Sequence, residues 1–121
     1  MIEKQLFLDT FKAFDKEVVV EIINIFFEEY PERFSKMDKN ITELNFKELA
    51  FNAHSLKGVV SNFAAPILFE LAREVENYST TLRDNNNQSD IIEKLIYTYP
   101  KMKRATAELY TDLKEMEKYY I

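Results

Sequence analysis

The sequence has no cysteine, one glycine, one histidine and three prolines in 121 residues. Without cysteine there is no disulfide, no thiol nucleophile and no cysteine-ligated zinc or iron–sulfur site. The single glycine, Gly58, excludes a Walker-type phosphate loop and the dinucleotide fingerprint, each of which needs several. The single histidine, His54, excludes every metal site built on two imidazoles of one chain. So little proline and glycine leaves little turn material, which argues against a sheet of many hairpins. No apolar run is long enough to span a bilayer, and the N-terminus lacks the basic-then-apolar pattern of a secretory signal. No metal or cofactor is expected on this chain.

What is present is a globular balance, 46% hydrophobic and 31% charged residues. A formal charge of −5 and a pI near 5.0 argue against the phosphate backbone of nucleic acid as the main partner. At 14.4 kDa residues 1–121 read as one domain, large enough to bury a core without staples. The expectation is a cytoplasmic protein, a monomer that buries its own apolar stripes. The lack of a flexible linker at either end favours a stand-alone chain.

The apolar spacing is helical almost throughout. Asp15 reads as an N-cap with Glu17 in the first turn. Val19, Ile22, Ile23, Phe26, Phe27, Tyr30, Phe34, Met37 and Ile41 then follow one stripe, with Pro31 predicting a bend. Asn45 and Glu48 read as a capping box, with Leu44 and Leu49 at staple positions. That second helix turns Leu49, Ala53, Leu56, Val60 and Phe63 inward. Ala64 and Ala65 break it, and Pro66 suits the first turn of the next helix. Leu68, Leu71, Ala72, Val75, Tyr78, Ser79 and Leu82 form the third stripe. After a polar loop from Asp84 through Asn87, Asp90 with Glu93 opens a last helix along Leu95, Thr98, Met102, Ala105, Leu109, Leu113 and Met116, with a bend at Pro100. A short amphipathic piece, Leu6 to Phe14, precedes all of these. The pattern predicts an all-α fold, an antiparallel four-helix bundle with a short extra N-terminal helix.

One position carries chemistry. At about 100° per residue, His54 projects roughly 140° from the centre of the inward set of its helix. Its outer-face neighbours are Lys47, Ala50, Phe51, Lys57, Gly58 and Ser61. A glycine inside a helix costs about 1 kcal/mol relative to alanine. The reason available for Gly58 is clearance, since without a Cβ another molecule can approach the imidazole. Lys57 puts a positive charge on the same face, where a bound anion would be stabilised. An exposed imidazole is substantially neutral at physiological pH and can act as a nucleophile. Nucleophile, cation and open space together point to an anion taken up on nitrogen, most simply a phosphoryl group. Elsewhere, Tyr97, Tyr99, Tyr110, Tyr119 and Tyr120 read as packing and rim, and Glu28 and Glu29 point in different directions and make no acid–base pair.

The stretch Ala53-His54-Ser55-Leu56-Lys57-Gly58, followed by Asn62-Phe63-Ala64-Ala65, Leu68, Ala72 and Val75-Glu76, resembles the signature of histidine-containing phosphotransfer (HPt) domains of two-component phosphorelays. The resemblance implies that His54 receives a phosphoryl group from a receiver-domain aspartate and passes it to another receiver. It further implies that Lys57 supports the phosphate and that Gly58 gives access. The partners implied are receiver domains of hybrid sensor kinases and response regulators, which bring the magnesium. Such a chain is a carrier in signal transduction, not an enzyme. The sequence departs from the pattern at Ala64, where a second glycine is usual, and at Val59 and Val60, where small or hydroxylic residues are common. Phe51 shares the His54 face, and Phe69 falls roughly 130° off its own buried stripe, so both are candidate docking aromatics. Lys47 and Ser61, which read first as solvated surface, complete the docking candidates. The alternative is a non-phosphorylated helical adaptor that binds a receiver domain through the same face; only the carrier requires the imidazole itself.

Overall fold

The structure, a computed structural model, describes residues 1–121, and all its regular elements are helices. They are α1 (Lys4–Thr10), α2 (Lys16–Thr42), α3 (Phe46–Val60), α4 (Pro66–Asp84) and α5 (Ser89–Glu117). Helix α3 packs on α4, α4 on α5, and α2 on both α3 and α5, closing the antiparallel four-helix bundle the stripes predict. No helix is long and apolar enough to cross a membrane.

The caps show how the sequence sets the boundaries. Asp15 starts α2 from an extended backbone, and its carbonyl accepts from Val18 and Val19 N–H at 3.0 and 3.2 Å; its side chain makes no cap bond. Asn45 does cap α3, its Oδ1 accepting from Glu48 N–H at 3.2 Å. The Leu44–Leu49 staple does not form. Leu44 adopts φ 53° and is 54% exposed. It occupies the left-handed position of a Schellman turn: Asn45 N–H donates to Asn40 O at 2.9 Å and Leu44 N–H to Ile41 O at 3.2 Å. Pro66 sits in the first turn of α4, where its missing N–H costs nothing. Helix α5 opens at Ser89, with the Gln88 carbonyl, not Asp90, receiving the first N–H groups. Pro31 and Pro100 both lie inside helices and face solvent.

The extra N-terminal helix starts earlier than Leu6 and ends at Thr10. It closes one end of the bundle: Phe7 is fully buried, stacked on Phe63 with centroids 6.3 Å apart, and Glu3 N–H donates to Ala64 O at 2.8 Å. No side-chain nitrogen or oxygen that is fully shut off from solvent lacks a hydrogen-bond partner. Ser79 and Thr106 donate back to Val75 O and Met102 O, each at 2.7 Å. Asn52 Nδ2 donates to Asn40 Oδ1 at 2.8 Å, which ties α3 to α2. Tyr99 donates to Asp38 Oδ1 at 2.6 Å while Lys103 holds Oδ2 at 2.7 Å, which ties α5 to α2. Burial, and then the Asp38 carboxylate, push the Tyr99 hydroxyl upward in pKa, so it stays a donor.

Candidate functional site

His54 lies in the middle of α3 with its side chain 70% exposed. Its partner comes from α4. Nδ1 stands 2.8 Å from Glu76 Oε2 and 3.2 Å from Oε1, and Lys57 Nζ donates to Oε1 at 3.1 Å. The Glu76 side chain is only 16% exposed. Burial by itself would raise the Glu76 carboxyl, but the hydrogen bonds from Lys57 and then His54 hold it below its ordinary value. An ionised carboxylate has no proton to give, so the bond to Nδ1 needs the proton on Nδ1. That leaves the Nε2 lone pair of the neutral ring free and turned away from Glu76. A half-buried carboxylate thus selects the tautomer of an exposed imidazole.

Gly58 follows one turn after His54. It is exposed, and a Cβ built there meets nothing within 4 Å. Its φ is not positive either. Neither crowding nor backbone geometry within this chain calls for glycine at that point, so what it contributes is bare backbone beside the ring.

Phe51, 69% exposed, stands between two notches. The first, about 320 Å³ between α3 and α4, is lined by Lys47, Ala50, Phe51, His54, Glu76, Thr80 and Arg83. The second, about 260 Å³ between α2 and α3, holds Arg33, whose Nη1 donates to Ser55 Oγ at 2.9 Å and whose Nη2 pairs with Glu29 at 3.0 Å.

The structure brings His54, Lys57, Gly58, Lys47 and Phe51 to one face, and it corrects several expectations around them. Ala50, placed on the outer face by the wheel, is buried, because α3 is covered by α4 on one side and α2 on the other. Phe69 is half-buried and packed against the core, lining a notch of about 240 Å³ with Leu6, Val60, Ser61, Ala64 and Pro66; α1 and the α3–α4 turn cover it. Lys57 is half-buried and engaged with Glu76. Ser61 is the C-cap of α3, and its hydroxyl donates to Gly58 O at 2.6 Å. Glu76, Thr80 and Arg83 are the lining residues that received no role from the sequence. Glu76 had a readable trace: it follows inward Val75 as Lys57 follows inward Leu56, so both flank the stripes of adjacent helices.

A family model for the Hpt domain matches residues 21–117, which takes in most of α2 and the whole of α3, α4 and α5. The chain belongs to the Hpt domain family, whose members are helical bundles that transfer phosphoryl groups in two-component systems. No curated protein and no solved structure gave a match.

Proposed function

We propose that this protein is a phosphoryl carrier in a two-component phosphorelay, accepting the group on His54 Nε2 from a receiver-domain aspartate and passing it to a second receiver. The observation that carries this reading is the exposed imidazole whose Nδ1 is held by the Glu76 carboxylate, with Gly58 bare beside it. In the forward step the Nε2 lone pair attacks phosphorus, the N–P bond forms, and the P–O bond to the donor aspartate breaks with its electron pair leaving on the carboxylate. No proton has to move. The ring becomes cationic, and the Glu76 carboxylate already faces the Nδ1–H that shares this charge. The return step reverses these changes on another aspartate.

Lys57 stands within one turn of His54 and supplies the charge that supports the phosphoryl oxygens. Gly58 gives the approaching receiver clearance. Phe51 and Lys47 are docking contacts; Ser61 and half-buried Phe69 border the neighbouring notch. Charge neutralisation and in-line alignment of a phosphoryl group call for a divalent cation. On this reading the receiver brings the magnesium, and this protein acts as the carrier. The partners are receiver domains of hybrid kinases and response regulators, met in the cytoplasm by a monomer.

The test is phosphorylation of the purified protein by a charged receiver domain and, separately, by a small phosphoramidate. An acid-labile, alkali-stable label on the wild type and none on His54→Gln is expected. No label on the wild type from either donor, or a label that survives in His54→Gln, overturns the reading.

A further inference from the structure

We infer that Lys47 and Arg83 form the cationic end of the docking face, and that they select receivers carrying acidic side chains about 10 Å from the phosphoryl-bearing aspartate. The inference rests on the carrier reading above and adds to it a direction of docking and a basis for choosing partners.

Antiparallel register brings the two cations together. Helices α3 and α4 run in opposite directions, and His54 of the one meets Glu76 of the other. Two turns before His54 on α3 stands Lys47, and two turns after Glu76 on α4 stands Arg83. Opposite senses place both at the same end of the α3–α4 notch, where both line its wall. At 1.5 Å rise per residue, that end is about 10 Å along the helices from the imidazole.

The charge of this notch is what sets it apart. On the far side of Phe51 the cations of the α2–α3 notch are each matched within their own helix, Arg33 to Glu29 at 3.0 Å and Lys36 to Glu32 at 3.4 Å. In the α3–α4 notch the one carboxylate, Glu76, is already engaged by Lys57 at 3.1 Å. Arg83 has only an exposed contact of its Nε with adjacent Asp84 at 3.1 Å, which is worth little in water and leaves the outer guanidinium edge free to take a carboxylate side-on. Lys47 is exposed and takes part in none of the chain's ion pairs. Two cations thus stand uncommitted beside the reactive ring of a chain whose formal charge is −5. At the other end, past Ser61, the neighbouring notch is lined mainly by apolar side chains, among them Leu6, Ala64, Pro66 and Phe69, and its one charged lining residue is the acidic Glu3. A partner with carboxylates on one side of its phosphoryl group is drawn to this face in one orientation, and paired charges of this kind act chiefly on encounter rate and partner choice.

The experiment measures the second-order rate of transfer from a phosphorylated receiver domain that labels the wild type, divided by the labelling rate from a small phosphoramidate. It compares the wild type, the double variant Lys47→Glu/Arg83→Glu, and Lys94→Glu/Lys101→Glu as a charge-matched control in the separate α4–α5 notch. We expect the ratio to fall about tenfold in the double variant, its dependence on ionic strength to flatten, and the control to stay within twofold of wild type. A fall below threefold, or an equal fall in the control, overturns the inference. Calorimetric binding of the same receiver, uncharged, is expected to weaken in parallel. Docking is therefore read even if no phosphoryl group moves, whereas a wild type that takes no label from either donor counts against the carrier reading alone.

Discussion

Gly58 lies in the regular stretch of α3, where alanine would be the more stabilising residue, whereas Ala64, in the turn after that helix, adopts φ 55°, where glycine would be. Each position carries the residue that the other backbone would favour. At Ala64 the left-handed conformation costs on the order of 1–2 kcal/mol, and its surroundings hold it. Glu3 N–H donates to its carbonyl at 2.8 Å, and Phe63 and Ala65 on either side are buried in the core. At Gly58 nothing in the chain approaches. The turn is therefore explained by what packs around it, and the site by a space that the protein itself leaves empty.

The sharpest way to break this contrast is to fill the space. Gly58→Leu replaces a poor helix former by a good one, so stability should rise by about 0.5–1 kcal/mol, read as an increase in Tm. Transfer from a receiver domain should nevertheless fall about 100-fold, because the donor can no longer bring phosphorus into line with Nε2. A variant that gains stability and still transfers at the wild-type rate would remove clearance as the reason for the glycine.

The site side of the contrast also depends on Glu76. In Glu76→Ala the ring loses the group that fixes its proton on Nδ1, and labelling by the small donor should slow about tenfold. The carboxylate has a second, acid-dependent effect whose sign follows from its depressed folded pKa. Its contribution to stability is complete above the ordinary value of 4.5 and is lost as pH falls through the lowered folded value. Asp38 acts in the same sense: burial would raise it, yet Lys103 and Tyr99 hold it below its ordinary 3.8. Glu76→Gln should lower Tm at neutral pH and make the loss of Tm below about pH 4.5 shallower than in the wild type. An acid limb of unchanged steepness would show that the Lys57–Glu76–His54 contacts contribute nothing to folding.

Much of this molecule is legible before any coordinates. Helical periodicity gives the bundle because each long stripe needs a partner, and Asn45, Pro66 and the polar loop after Asp84 mark boundaries through local chemistry. What a single-helix wheel misses is its neighbours. Ala50 is buried because α3 is flanked on two sides, and Phe69 is half-buried because α1 folds over that end, a contact no periodicity within α4 encodes. Tyr99 reads correctly as packing, but its bond to Asp38 depends on the register between α2 and α5. Likewise, Ala53-His54-Ser55-Leu56-Lys57-Gly58 marks the reactive helix, and Glu76 stands among the residues that carry the resemblance, but its role in orienting the ring emerges only once α3 and α4 are in register.

The smallest effects belong to the turns. Ala64→Gly and Leu44→Gly each put glycine where φ is positive, 55° and 53° respectively. Relief of the left-handed strain is opposed by the greater freedom of glycine in the unfolded chain, so each should stabilise by about 0.5–1 kcal/mol. Leu44 gives up little packing, because its side chain is largely exposed and makes no staple with Leu49. Ala64 gives up one methyl from the notch beneath α1, so its gain should be the smaller of the two. The two turns lie at the ends of α3 in separate surroundings, and denaturant melts of the double variant should return the sum of the single effects. Destabilisation by Ala64→Gly would mean that the alanine methyl, and not the backbone, dominates at that turn, and the contrast with Gly58 would then rest on Leu44 alone.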